Sequence, residues 1–246
     1  MTSVCHECGK GPTCDAHIVA RGFARLIVDT NNHVLEIAQA GAKKAKRQHG
    51  FFDGHILCAE CDRAIGKLDD LAISYCRDFV PPENIRPYQL FNLTKFDVAN
   101  MCRFAISIVW RASISILPQF NDINLGPYGV VAKDIIFGRA PIKSCTALHI
   151  QVSVLTSSYL DMKSHIGLPI QVRNERGPYI IFSAGSLQWL VRFGGTKFGS
   201  GKNGMFASQL ALNTNATPVA VAYPFSESAD YELYQQAAKA KRAAPS

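Results

Sequence analysis

The chain has 246 residues, of which 48% are hydrophobic and 18% charged, and it carries a formal net charge of +7. Intrinsic disorder requires low hydrophobicity and high charge density, so this composition predicts a globular protein with one large core or two modest ones. No run of about 18 uncharged apolar residues occurs, which argues against a membrane-spanning helix and a membrane partner.

Cysteine is concentrated near the N-terminus, where residues 1–80 hold six of the eight cysteines. The first residues lack the basic start and apolar core of a secretory signal, so we expect a cytoplasmic protein whose cysteines are thiols or metal ligands. Two Cys-x2-Cys pairs occur, Cys5 with Cys8 and Cys58 with Cys61. This spacing lets a tight turn place two sulfurs about 2.3 Å from one tetrahedral zinc ion. We therefore predict one structural zinc site shared by both pairs, the second of them where a strand or turn enters a helix.

A second ligand set remains open at this point. Cys5, Cys8, Cys14 and His17 follow the spacing Cys-x2-Cys-x5-Cys-x2-His, which also suits zinc and would leave the second pair without the metal. Three further cysteines stand in apolar surroundings, for which buried thiols are the expectation. They are Cys76, Cys102 and Cys145.

Prolines at positions 81, 82 and 87 follow the cysteine-rich part and predict a boundary near residues 80–90. Residues 92–117 then place apolar side chains at helical spacing, with Asn92 or Thr94 as candidate caps and Pro118 just past the end. The sequence therefore predicts a long central helix within a helical region at 81–145.

From residue 146 the hydrophobic pattern favours strands, which are separated by Gly, Pro and Asn signals. A helical pattern begins at Ala229 and frays near the end of the chain. The predicted fold class is α+β. Its parts are a zinc module at 1–80, the helical region at 81–145, and a mostly antiparallel β-rich region with a C-terminal helix at 146–246.

The positive charge lies outside the cysteine-rich region. Residues 1–80 carry ten basic and ten acidic side chains, whereas residues 81–246 carry sixteen and nine. Clustered cations bind phosphates with an affinity that falls as salt rises, so nucleic acid is the expected partner. A solvated loop is the alternative interpretation of the basic run at 43–50, and a hairpin loop is the alternative for the glycine-rich segment at 194–204. The oligomeric state is open. The candidate nucleic-acid-binding residues are Lys43, Lys44, Lys46, Arg47, Arg192, Lys197 and Lys202.

The cysteine pairs and the residues around them resemble bacterial HNH-type zinc proteins. The pattern of that family reads approximately Cys-x2-Cys, then Ser-His-Ile-Ile-Pro-x-Phe, then Leu-Leu-Cys-x2-Cys. Here His-Ile-Val-Ala-Arg-Gly-Phe stands at 17–23 and Ile-Leu-Cys-Ala-Glu-Cys at 56–61. Residues 104–113 are also similar to the helix that follows the zinc module in such proteins. The resemblance covers about residues 5–130, and the cysteine pairs are its most specific part.

This resemblance implies a treble-clef or ββα-metal module and endonuclease chemistry. In active members the histidine that ends the first strand deprotonates water, while a divalent ion stabilises the scissile phosphate. Carried over to this chain, His17 is the general base, and Asp15 and Asp62 are the nearest candidate ligands for a catalytic Mg²⁺ or Mn²⁺. Active members commonly have an acid or a histidine directly before the base and Asn or His after the last cysteine, where this chain has Ala16 and Asp62. Asp15 would share the face of His17 in an extended strand and is the candidate replacement.

Two functional hypotheses follow from these residues. In the first, a zinc-stabilised HNH-like protein binds nucleic acid and hydrolyses phosphodiesters with His17 as base. In the second, the chain is a non-catalytic zinc-dependent nucleic-acid-binding or protein-interaction module, in which His17 is structural or supports the zinc site. Only the first predicts cleavage that requires a divalent ion and disappears in His17→Ala.

Overall fold

The computed structural model describes residues 3–24, 34–35, 46–47, 51–82, 85–145, 147–157, 162, 165–174, 177–194, 218–228 and 231. Helices and sheets are both present, which confirms the α+β class. The helices are α1 (Arg21–Ala24), α2 (Ala59–Asp78), α3 (Val98–Ser113) and α4 (Tyr128–Ile136). The strands are β1 (Cys14–His17), β2 (Val34–Leu35), β3 (Lys46–Arg47), β4 (Phe52–Leu57), β5 (Leu90–Asn92), β6 (Leu148–Thr156), β7 (Ile166–Asn174), β8 (Gly177–Ala184), β9 (Leu187–Phe193) and β10 (Val219–Pro224).

The larger sheet has six strands in the order β5-β10-β6-β9-β8-β7. Only the β10–β6 pair is parallel, and the other neighbours are antiparallel. Strands β6 to β10 coincide with the five apolar segments that the sequence predicted after residue 146, so the mostly antiparallel sheet is confirmed. The predicted C-terminal helix lies outside the described residues, apart from the single position Tyr231.

The N-terminal part is a two-stranded antiparallel ribbon, β1 with β4, followed directly by helix α2. The entry into α2 at Ala59 confirms that the second cysteine pair lies where a strand meets a helix. A second ribbon of two-residue strands, β2 with β3, lies in the segment between the cysteine pairs.

Helix α3 is shorter than predicted. It begins after Asp97, whose Oδ1 accepts a hydrogen bond from the backbone N–H of Asn100 at 3.1 Å, a typical N-cap contact. The predicted cap at Asn92 or Thr94 is wrong, because Leu90–Asn92 forms the edge strand β5 beside β10 and Thr94 lies in the turn that follows. The apolar periodicity of residues 92–117 extended over this strand and a turn as well as the helix.

One cluster of buried side chains runs from the N-terminal ribbon through α3 to the six-stranded sheet. Its aromatic members connect these parts directly. The ring of Phe104 on α3 lies 5.8 Å from that of Phe23 and 5.9 Å from that of Trp189 on β9, between ring centroids. The predicted divisions near residues 80 and 146 stay predictions, and this core crosses both. No described helix is long and apolar enough to cross a bilayer.

Candidate metal centre and the adjacent His17 site

Four cysteines meet where the N-terminal ribbon joins helix α2. The Sγ atoms of Cys5, Cys8, Cys58 and Cys61 all lie within 4.8 Å of one another, and those of Cys8 and Cys58 are 3.7 Å apart. A tetrahedral ion with sulfur ligands at about 2.3 Å has ligand–ligand distances of about 3.8 Å. The four sulfurs are therefore close enough together to hold one metal ion.

The first cysteine pair lies on a tight knuckle. Its turn is closed by hydrogen bonds from Gly9 N–H to the carbonyl of Cys5 and from Cys5 N–H to the carbonyl of Lys10, each 2.9 Å long. Gly9 adopts φ +71°, a conformation that glycine reaches without steric cost, which explains why glycine follows Cys8. His6 N–H also donates to the carbonyl of Ile56 at 2.9 Å, and this bond attaches the knuckle to β4.

The second pair uses the N-terminus of a helix. Cys58 is the N-cap of α2 and Cys61 lies in its first turn, where unpaired backbone N–H groups and the helix dipole favour negative charge. Metal-binding thiols must lose their protons. At Cys61, burial and hydrogen bonds with the other three cysteines raise the pKa of the thiol, so metal binding there has to displace a proton. On the knuckle, burial raises the pKa of Cys5, but backbone N–H groups of Cys8, Cys58 and Glu7 lower it, and the result is about 7.

The structure decides between the two ligand sets. Cys14 and His17 are not members of the four-sulfur group, so the alternative set with the spacing Cys-x2-Cys-x5-Cys-x2-His is not the one that the fold assembles. The expectation of buried thiols is confirmed for the remaining three cysteines, which are Cys76, Cys102 and Cys145.

A salt-bridge cluster that sequence reasoning missed fixes the knuckle to helix α4. Arg139 donates through both of its terminal nitrogens to the two carboxylate oxygens of Glu7, and its Nε donates to Asp134 at 2.8 Å. Lys133 Nζ lies 4.0 Å from the same Glu7 carboxylate. Glu7 lies more than 120 positions before Lys133 and Arg139, so no local spacing indicates its contacts with them.

His17 ends strand β1, on the face of the ribbon turned away from the core. In β1, Asp15 is exposed, Ala16 is fully buried and His17 is partly buried, so Asp15 and His17 share one face as predicted. Across the ribbon, His17 stands opposite Phe52. A Cβ at Gly54 would lie 3.1 Å from Asp15 Oδ1, so the missing side chain leaves room for that carboxylate.

Asp62 lies in the first turn of α2. It is half-buried, and burial raises the pKa of its carboxyl group, while the charges of Arg111 and His17 act in the lowering direction. The charge of His17 acts in the same direction on Asp69, further along α2. However, within the described ranges the four cysteines are the only group of three or more metal-capable side chains that meet, so Asp15, His17 and Asp62 do not form a second one.

A buried ion pair holds His17 against helix α2. Arg111 of α3 donates to Asp69 Oδ1 at 2.7 Å and to Asp69 Oδ2 at 2.9 Å, and its Nη1 also donates to the backbone carbonyl of His17 at 2.7 Å. Arg111 is 1% exposed and Asp69 is 6% exposed. Asp69 follows Asp62 by seven positions, which places both acids on one side of α2. One guanidinium thus fixes the end of β1 relative to the helix that carries Asp62.

The candidate nucleic-acid-binding residues are placed only in part. Lys46 and Arg47 form strand β3, which pairs with β2. Arg192 is 1% exposed, and its guanidinium lies 5.8 Å from the ring centroid of Tyr179. Arg192 therefore packs within the sheet region, which corrects its predicted position on a phosphate-facing surface. The other predicted contacts lie outside the described residues, namely Lys43, Lys44, Lys197 and Lys202.

No family model, curated protein or solved structure matches this chain in comparisons with all three. Function is therefore inferred from the residues of the site and from their geometry.

Proposed function

We propose that this chain is a zinc-stabilised, HNH-like nucleic-acid-binding protein that hydrolyses phosphodiester bonds with His17 as general base. The observation that carries the proposal is the position of His17. It ends a strand, lies across a short ribbon from β4, and is fixed by Arg111 to the helix whose start carries two of the four cysteines. A ribbon and helix joined by four cysteines are the parts of a treble-clef module, and a reactive histidine at the end of the first strand is what the family resemblance implies.

Zinc is the proposed ion for the four-cysteine cluster. Four thiolates at tetrahedral spacing suit zinc, and in small domains the binding of such an ion contributes directly to folding. The knuckle, β4 and α2 all begin or end at these cysteines, so the metal would hold together the elements that position His17. Because four sulfurs also suit iron, metal analysis of the purified protein tests this assignment.

The proposed chemistry uses one histidine and two carboxylates. His17 accepts the proton of a water molecule as its oxygen attacks the phosphorus atom. The P–O bond to one sugar oxygen breaks, and that leaving oxygen takes a proton from solvent. A bound Mg²⁺ or Mn²⁺ would stabilise the charge on the phosphate. Such ions commonly take only one or two protein carboxylates, with waters and substrate phosphate as the remaining ligands, which matches the limited ligand set of Asp15 and Asp62. Ala16 offers no ligand, so these two carboxylates would hold the ion with the substrate.

The decisive experiment measures cleavage of single-stranded and duplex DNA and RNA with Mg²⁺ or Mn²⁺. His17→Ala is expected to lower the rate by about 10²–10⁴-fold, the usual contribution of a general base. A matched control is His55→Ala, because His55 is exposed on β4 and bonds to Ser3 at 2.6 Å rather than to the proposed site. Unchanged metal content and thermal unfolding in both variants would separate chemistry from folding. Equal cleavage by His17→Ala and wild type would remove His17 from the mechanism.

A second candidate function is a non-catalytic zinc-dependent nucleic-acid-binding or protein-interaction module. The observation that favours it is that Asp15, His17 and Asp62 form no preassembled metal group within the described residues. This alternative predicts salt-sensitive binding that survives His17→Ala and no cleavage with any divalent ion. The cleavage assay therefore distinguishes the two functions directly.

A further inference from the structure

An exposed aromatic ring lies beside the proposed catalytic histidine. Phe52, the first residue of β4, is 41% exposed, and its ring centroid is 6.0 Å from that of His17 with the two planes inclined by 54°. The two residues are cross-strand partners, so their side chains leave the ribbon on the same face. A single exposed apolar side chain is ordinary by itself, so the significance of Phe52 rests on its position next to His17.

The residue that follows Phe52 is anchored by hydrogen bonds. The neighbouring Asp53 is 2% exposed and accepts three hydrogen bonds, from His55 N–H at 2.9 Å, from Ser115 Oγ at 2.7 Å and from Ile116 N–H at 2.8 Å. The bonds from Ser115 and Ile116 join β4 to the segment that follows α3. The same bonds place Ile116, which is 63% exposed, near the end of β4 that carries Phe52. A ring presented from a fixed backbone binds a flat partner with little loss of conformational entropy.

The chemistry of the site limits what the ring can contact. The rings of His17 and Phe52 are only 6.0 Å apart between centroids. A nucleic acid whose phosphate lies at His17 would therefore have a base within one nucleotide's length of Phe52. Aromatic side chains stack on unpaired bases without sequence preference, because every base has a π-face. A base inside a duplex has both faces covered by its neighbours, so only an unpaired or extruded base offers a face to this ring.

We propose that Phe52 stacks on an unpaired nucleobase next to the phosphate at His17, which makes single-stranded or locally unpaired nucleic acid the preferred substrate class. This inference rests on the proposed nucleic-acid function of the same site. Phe52 is a specificity-determining residue in this view, because it contacts the base and takes no part in proton transfer.

The test measures binding rather than cleavage. Fluorescence anisotropy with a labelled single-stranded 12-mer and with its duplex is carried out on the full chain with EDTA-free Ca²⁺ buffer, in the His17→Ala background to prevent hydrolysis. Phe52→Ala is expected to weaken single-strand binding by about 5- to 150-fold, the range that alanine substitution gives for one stacked base. Phe52→Trp is expected to retain binding, and duplex affinity is expected to change by less than twofold.

Two controls separate stacking from general effects. Tyr88→Ala is the matched variant, because Tyr88 is 42% exposed but lies against Tyr223 of the six-stranded sheet and not on the ribbon. It is expected to leave single-strand affinity unchanged. A series of 12-mers with one abasic site at each position provides the second control. An abasic site at the position where the base stacks should weaken binding of the protein that carries Phe52. The same abasic site should not weaken binding of Phe52→Ala any further.

The outcomes distinguish this inference from the proposed function. Equal single-strand affinity of Phe52→Ala and its parent, or equal losses on single strand and duplex, would overturn stacking while leaving hydrolysis by His17 intact. A Phe52-dependent preference for single strands in a protein that cleaves nothing would support stacking and refute the nuclease. Absence of any binding by the wild type would refute both.

Discussion

The ion pair between Arg111 and Asp69 gives the sharpest prediction about the construction of the His17 site. Replacing Arg111 by Met removes the two bonds to Asp69, at 2.7 and 2.9 Å, and the 2.7 Å bond to the carbonyl of His17. An unpaired buried charge costs about 3–5 kcal/mol, and an unpaired buried carbonyl about 1–3 kcal/mol. The free energy of unfolding should therefore fall by about 4–8 kcal/mol, a large part of the 5–15 kcal/mol typical of a domain.

A double variant separates the ion pair from the carbonyl bond. Arg111→Met with Asp69→Leu leaves no buried charge, and replacement of both partners by apolar groups is often neutral. Its remaining cost is expected to be that of the His17 carbonyl, about 1–3 kcal/mol. Urea unfolding of wild type, both single variants and the double variant gives the four free energies that the comparison needs.

The pH dependence of Arg111→Met provides an independent check. Burial raises the pKa of Asp69, and Arg111 is the main influence that lowers it, so the variant should have a still higher pKa at this carboxyl. A carboxyl whose pKa is higher in the folded protein binds more protons there, so stability falls as pH rises between the unfolded and folded values. The deficit of the variant should therefore shrink at acidic pH and grow towards neutral pH. A loss below 1 kcal/mol at neutral pH, or a double variant no more stable than Arg111→Met, would refute this account.

The remaining predictions concern the metal centre. Purified wild type should contain one metal ion per four-cysteine cluster. Cys58→Ser should lose that ion and unfold at lower temperature, because metal-binding energy contributes to folding, whereas Cys14→Ser should keep it. Full metal content in Cys58→Ser, measured by mass spectrometry of the elements, would contradict the ligand assignment. Glu7→Gln should cost about 1 kcal/mol, less at high salt, because Arg139 is half-exposed and its ion pair is screened by solvent. An effect independent of salt would show that the knuckle does not depend on that ion pair.

The sequence predicted the features that depend on local spacing. Two Cys-x2-Cys pairs identified the four sulfurs that the fold brings together, and alternation of apolar residues after position 146 identified strands β6 to β10. The shared face of Asp15 and His17 also followed from the period of an extended strand. In the strands, the residues that form the pattern are close in the chain. In the two cysteine pairs, the chemistry of the thiols allows few partners other than a metal ion.

Features that depend on distant partners were not predictable in the same way. Arg111 meets Asp69 across 42 positions and His17 across 94, so no spacing rule connects them. Arg192 belongs to a basic segment by composition, yet its position in β9 buries it. The start of α3 was missed because apolar periodicity continued into residues that β10 recruits as strand β5. Tertiary pairing overrides local pattern at these places.

The contacts of Phe104 have a consequence for how the molecule unfolds. Its ring touches Phe23 near the N-terminal ribbon on one side and Trp189 of the six-stranded sheet on the other. Neither neighbour can be displaced without exposing part of the shared core to water, so the ribbon and the sheet are energetically coupled. Metal bound at the four cysteines would thus protect amide hydrogens of distant sheet strands from exchange, although no strand of that sheet carries a ligand.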